Sequence, residues 1–235
     1  MKKEIMAAFI VSLAGAGVAS AQTQAQAPAP MQYGYYFPEG VGPYATVEAG
    51  PTFYQNGALK TFGGPASGSV HYNVGGMADA DIGYAFNKYI AAGFEFGVNG
   101  TTISSIPNYY LSNAQIYNVP FLANVTFSYP IPHSFLTPYI GVGAGGSDSV
   151  FDPDRMRNET TTDYVTGSEN DVVFAWEAYA GLRFQLSPNM SFGIGYKYFA
   201  TGNPDFSYPP APNFDVSFRG VETHSILASF SVSFW

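Results

Sequence analysis

The sequence predicts an all-β protein: an eight-stranded antiparallel up-and-down transmembrane β-barrel. Three observations lead there. The first is alternation. In YIAAGFEFGV (89–98), Ile90, Ala92, Phe94, Phe96 and Val98 share one parity, and Tyr89, Ala91, Gly93, Glu95 and Gly97 share the other. Successive side chains of a strand point to opposite faces, so one face is wholly apolar and the other small or polar. The second is composition. Only 11% of residues are charged and 17% are aromatic, against roughly 25% charged in ordinary soluble domains, which leaves too little charge for a water-facing exterior. The third is that the connections alternate between tight turns and long polar stretches. A soluble sandwich also alternates by parity but has no reason to alternate its loop lengths.

The ends separate from the strand region. MKKEIMAAFIVSLAGAGVASA (1–21) has a basic start, a short apolar run and a small-x-small site at Ala19-Ser20-Ala21, the pattern of a cleaved secretory signal peptide. Its rival, a membrane anchor helix, fits less well because the run breaks at Gly15 and Gly17. Residues 22–43 form an Ala/Gln/Pro-rich periplasmic linker with Tyr33, Tyr35, Tyr36 and Phe37 near its end. Removing residues 1–21 takes away Lys2, Lys3 and Glu4, so the net charge goes from −8 to −9. An acidic exported chain carries no footprint for nucleic acid, and the absence of cysteine excludes a disulfide scaffold. The barrel is expected over 44–235.

Eight segments supply the strands. They are 44–54, 76–87, 89–98, 115–129, 137–147, 171–186, 190–199 and 221–235, and each alternates. Eight strands of roughly ten residues match the smallest outer-membrane barrels. Residues 87–88, 130–136 and 187–189 make the short turns; 55–75, 100–114, 148–170 and 200–220 read as long polar loops on the extracellular side. Aromatics gather toward strand ends on the apolar faces: Tyr84, Phe86, Phe127, Tyr129, Phe174, Trp176, Tyr196 and Tyr198. Rings in such places sit at headgroup depth as a girdle. Pro138 begins its strand and Pro51 lies near the outer end of its own, whereas Pro120 falls inside one and calls for a bulge or a lost ladder bond.

Every charged residue in a strand interior lies on the non-lipid parity: Glu48, Asp79, Asp81, Glu95, Glu177, Arg183 and Lys197. Facing lipid would cost about 2–4 kcal/mol for a basic residue at midplane. The interior of an eight-stranded barrel is filled by side chains, so Arg183 and Lys197 are expected to bridge some of the five acids. Acids left over must be hydrated or protonated, and Asp79 and Asp81, two apart on one face, are the candidates. Glycines at Gly141, Gly143, Gly145, Gly193 and Gly195 favour some water inside, while the charge network favours closure.

TPYIGVGAGG (137–146), FAWEAYAGLRFQLSPNMSFGIGYKYF (174–199) and THSILASFSVSF (223–234) resemble the eight-stranded outer-membrane barrels of the OmpA-like and opacity-type porin family. The resemblance implies insertion into a Gram-negative outer membrane by the barrel-assembly machinery. It also implies contact with outer-membrane lipid and lipopolysaccharide, and an assembly signal at Phe230, Val232, Phe234 and Trp235. Here the lipid parity ends on Phe234 and Trp235 overhangs by one, a departure from the family pattern. The peptidoglycan-binding domain of some relatives is not expected.

No catalytic set, cofactor or metal site is expected. His224 and Ser225 are adjacent and so point to opposite faces; Glu222 shares the parity of His224 without a same-face serine. His71 and His133 fall in a loop and a turn. The third loop clusters Asp148, Asp152, Asp154, Asp163 and Asp171, which invites Ca2+ but lacks the spacing of a known calcium loop; Arg155 and Arg157 lie among them, placed to pair locally or to meet lipopolysaccharide. Two functions remain open: a monomeric, plugged, structural barrel displaying four loops to an extracellular ligand, or a small gated pore for ions or small solutes.

Overall fold

Segments adjacent in sequence pair with each other, and the last strand returns to the first. The computed structural model describes residues 41–62, 69–106, 109–158, 164–207 and 215–234. The signal peptide, residues 22–40 of the linker, Asp163 and Trp235 lie outside the described residues.

In chain order the strands are β1 (Gly42–Tyr54), β2 (Gly57–Phe62), β3 (Ser69–Tyr72), β4 (Val74–Ala85), β5 (Ile90–Ser105), β6 (Tyr109–Ser128), β7 (Leu136–Asn158), β8 (Tyr164–Val165), β9 (Glu169–Ser187), β10 (Met190–Thr201), β11 (Asp205–Ser207), β12 (Asp215–Phe218) and β13 (Glu222–Ser233). Eight of them close a barrel in the order β1-β4-β5-β6-β7-β9-β10-β13, and β13 pairs back onto β1. All pairings are antiparallel, and closure leaves no strand edge facing lipid. Following paired residues around the ring from Thr52 through Ser225, Lys197, Tyr179, Gly141, Thr126, Ala91 and Ala85 ends at Gly42. The ten-residue displacement is the stagger that tilts the strands and sets the bore.

Parity sorts the side chains as alternation requires. Ile82, Phe94, Phe96, Val125, Ile140, Val142, Leu182, Ile194 and Ile226 are exposed on the outer wall, whereas Asp79, Asp81, Glu95, Asn124, Glu177 and Lys197 are buried within. Pro120 and Pro51 each interrupt a ladder without a bulge. The β5–β6 pairing skips from Phe96↔Phe121 to Asn99↔Asn118 at Pro120. The β1–β13 pairing skips from Ala49↔Ala228 to Thr52↔Ser225 at Pro51. Proline has no N–H to donate.

The loop assignment needs correction. Much of 100–114 and 148–170 is strand, because β5, β6 and β7 run on beyond the barrel rim. In 55–75, β2 and β3 form, with β3 paired to the top of β5; in 200–220, β12 pairs with β2 and with β11. The physical reason is an inversion of polarity on an unbroken parity. Along β6 the inward residues are Asn124, Leu122, Asn118, Ile116 and Ala114; along β5 they are Glu95, Asn99, Thr101 and Ile103. Apart from Leu122, the lower ones are polar and the upper ones apolar. Above the rim the outside is water, so the strands bury Ile103, Ile106, Ile116, Phe151, Met156, Phe206, Phe218, Val70 and Val221 in an apolar core. Phe151, Phe206 and Phe218 meet there at centroid distances of 5.1–5.8 Å. Tyr72 packs against this core, and burial holds its phenol well above the ordinary range.

Side chains occupy the space beside three glycines of the inner wall. A Cβ at Gly141 would lie 2.3 Å from the Tyr179 ring, one at Gly195 2.6 Å from the Tyr139 hydroxyl, and one at Gly193 2.3 Å from Ser229 Oγ. Their space holds side chains from neighbouring strands.

Candidate functional site

The strand register brings like charges together. Glu48 on β1 lies directly opposite Asp79 on β4, and Asp81 on β4 opposite Glu95 on β5. Like charges facing across strands are destabilising, and these are inside the barrel. Lys197 answers them from β10. Its Nζ lies 2.9 Å from Glu48 Oε1, 3.0 Å from Asp79 Oδ2, 2.8 Å from Glu95 Oε2 and 3.5 Å from Glu177 Oε2. Its side chain is 2% exposed, and the Nζ stands 5.7 Å from the Tyr179 ring centroid. Glycines opposite the acids make the crowding possible: a Cβ at Gly97 would fall 2.4 Å from Asp79 Cβ, and one at Gly143 2.7 Å from Glu177 Oε1. Phe199, two residues beyond Lys197 on the same face, is wholly buried and clusters with Leu122 and Ala175.

Of the sequence-selected charges, Lys197, Glu48, Asp79, Glu95 and Glu177 converge, while Asp81 and Arg183 do not join them. Asp81 accepts hydrogen bonds from Tyr44 Oη at 2.8 Å and Asn124 Nδ2 at 3.2 Å. The guanidinium of Arg183 lies over the Tyr139 ring, 5.1 Å from its centroid. The expectation that both bases bridge the acids is therefore corrected: among the described residues Lys197 makes every carboxylate pair in the lumen. Asp79 meets Lys197 through Oδ2 while its Oδ1 is buried without a partner, and Asp81 is held by Tyr44 and Asn124. Charge parity finds these residues but not which of two bases reaches the acids, because that depends on stagger.

Below the ring, toward the short turns, a polar cavity of about 160 Å³ is lined by Tyr44, Glu48, Asp81, Glu95, Tyr139, Tyr179 and Arg183, and by turn residues Asn87 and Lys88. Above it lies a layer the sequence reading missed, in which Tyr54 Oη donates to Asn99 Oδ1 (2.7 Å), Asn99 Nδ2 to Thr223 Oγ1 (3.2 Å) and Ser149 Oγ to Asn118 Oδ1 (2.7 Å). Asn99, Asn118 and Thr223 are fully buried. Their signal was present: inward parity continues past 98 to Asn99 and past 147 to Ser149, and it includes Asn118 and Thr223 within segments already assigned.

On the outer wall, Tyr84, Phe86, Phe127 and Tyr129 stand near the short turns, and Phe174, Trp176, Tyr196 and Tyr198 toward the other rim. His224 belongs to the second group. Tyr196 Oη and His224 Nδ1 are 2.5 Å apart, and Gln55 Nε2 lies 2.6 Å from His224 Nε2. Tyr198 donates to Glu222 Oε2 at 3.0 Å. Ser225 points inward and shares a 2.8 Å hydrogen bond with Thr52. The described acids of the third loop are spread out: Asp148 is held by Asn170, Asp154 by Asn113, and Asp171 accepts from the Asp205 backbone N–H. Phe230, Val232 and Phe234 end the final strand, with Phe230 and Phe234 exposed.

A closed, staggered eight-stranded barrel with an apolar outer band and a polar interior defines a transmembrane protein of the outer-membrane type. The profile of the outer membrane protein beta-barrel domain matches residues 11–234, and the chain belongs to that family and lies in the outer membrane. No curated protein matches it. Among solved structures, Neisserial surface protein A is similar at 15% identity and a TM-score of 0.52, over 83% of this chain and all of that one. OprG of Pseudomonas aeruginosa is similar at 12% identity and 0.52, over 82% and 96%. The outer membrane protease OmpT of Escherichia coli aligns at 10% identity with a TM-score of 0.47, over 85% and 98%. At these identities the likeness is one of fold.

Proposed function

We propose that this protein is a closed, monomeric, non-enzymatic barrel that supports the outer membrane and presents its extracellular end for surface interaction. One observation carries the reading: the Lys197 ring and the apolar core above the rim lie at two heights of the bore, which supports a lumen closed along its axis. A bore of eight strands is narrow enough for side chains to fill, and here ion-paired and apolar groups do so at different heights. The separation of His224 from Ser225, and the ties of His224 to Tyr196 and Gln55, support a non-catalytic wall. Arg157, stacked 5.3 Å over the exposed Tyr110 ring above the rim, is placed to meet lipopolysaccharide or another extracellular ligand.

The test is refolding of the mature chain into detergent, a heat-modifiable gel shift to confirm the barrel, and current recording across a planar bilayer. A silent membrane with inserted protein is the expected outcome. A steady conductance that changes in Glu95→Ala would instead favour a small gated pore for ions or small solutes.

A further inference from the structure

The ring holds more carboxylate than its lysine can match. Four carboxylates against one ammonium leave three negative charges over when all are ionised. The three N–H bonds of the ammonium go to Glu48, Asp79 and Glu95 at 2.8–3.0 Å, and Glu177 Oε2 stands off at 3.5 Å. Both Glu177 oxygens and Glu95 Oε1 are buried away from solvent with no donor on them. Glu48 differs, because it is 15% exposed and lines the periplasmic cavity, where water can meet it. Glu177 lies within hydrogen-bonding reach of Glu95, although β6 and β7 separate their strands in the wall. An ionised carboxylate only accepts hydrogen bonds, whereas a protonated one carries an O–H donor. Two carboxylates sharing one buried site do not both ionise.

We propose that Glu177 and Glu95 share one proton at neutral pH, the carboxylic acid of Glu177 donating to Glu95 Oε1, so that the lumen plug is a proton-binding site. Glu95 Oε2 stays with Lys197. The excess negative charge of the ring falls from three to two. The titratable groups around the pair are Glu48 from β1, Asp79 and Asp81 from β4, Tyr179 from the strand of Glu177 and Lys197 from β10. The register sets Leu122 of β6 beside Glu95, Gly143 of β7 beside Glu177 and Ser225 of β13 beside Lys197, and none of these titrates. The pair stands whether or not the lumen conducts, because it needs neither passage nor ligand.

The experiment is infrared spectroscopy of the refolded mature chain in a detergent without ester or carboxyl groups. A carboxylic acid shows a carbonyl stretch that an ionised carboxylate lacks. The parent chain is expected to show this band at pH 7, and Glu177→Gln to lose it, because the amide N–H supplies the hydrogen that Glu95 accepts. Glu95→Gln, which offers its amide to Glu177, is expected to lose it too and serves should the first variant not refold. Asp81→Asn is expected to keep the band. A second readout follows from linkage. A glutamate of the unfolded chain ionises near pH ~4.3, so between pH ~5 and 7 the folded chain holds a proton that the unfolded chain has lost. The folding constant of the parent should then fall by up to about tenfold per pH unit more than that of Glu177→Gln. A parent without the band at pH 7 overturns the proposal. So does a band that survives Glu177→Gln and disappears in Asp81→Asn, and so do equal pH slopes in the parent and Glu177→Gln.

Discussion

Lys197 is the residue on which the barrel interior depends, and its neighbours show why. Removing one partner of a buried ion pair leaves uncompensated charge, at a cost of about 3–5 kcal/mol. Lys197→Met is therefore expected to lower the unfolding free energy of the refolded barrel by about 3–5 kcal/mol, read as a fall in its urea midpoint. Arg183→Leu removes only a half-buried cation from the Tyr139 face, a contact of about 0.5–1 kcal/mol, and should change the midpoint little. Equal losses from the two variants would show that the pairing is not centred on Lys197. Gly141 offers a second test. A methyl there would overlap the Tyr179 ring, 2.3 Å from its Cε2 and Cζ, so Gly141→Ala should cost about 1–3 kcal/mol; Tyr179→Leu in the same chain should recover most of it. At this scale the seven lumen charges were legible from parity alone. Their partners were not, because Glu95 and Lys197 are 102 residues apart and only the stagger of the closed sheet sets which heights coincide.

At the scale of elements, the apolar core above the rim holds the segments between membrane strands as strands. Phe151, fully buried against Phe206 and Phe218, ties β7 to β11 and β12. Truncating a buried phenylalanine costs about 3–5 kcal/mol. Phe151→Ala is expected to open the segments above the rim to added protease while the heat-modifiable band of the barrel persists. Loss of the band would mean that the core above the rim and the barrel fold as one unit. The eight membrane strands could be read because a single apolar parity runs through each. Their upward extensions could not be read the same way: past the rim water replaces lipid outside, the apolar residues move to the inner face, and polar outward residues such as Thr102 and Ser104 look like loop.

For the whole molecule, position in the bilayer is the testable quantity. The chain has two tryptophans, so Trp235→Phe leaves Trp176 as sole reporter. Trp176 lies on the outer wall beside Tyr198, at a centroid distance of 5.3 Å, toward the extracellular rim. Its fluorescence should be quenched more by lipids brominated near the headgroup than by those brominated near the chain end, as an interfacial ring requires. Stronger quenching from the bilayer centre would shift the membrane band upward and place the polar layer of Asn99 and Asn118 within it.

Alternating polarity, scarce charge and unequal connections were enough to specify an eight-stranded outer-membrane barrel and the non-lipid parity of the seven charges in strand interiors. Those are local properties: period two, and the cost of charge in lipid, act on each segment separately. Which charges meet, where glycine admits a tyrosine ring, and how the strands close above the rim are non-local. They follow from a ten-residue stagger around eight strands, a quantity that exists only once the last strand has paired with the first.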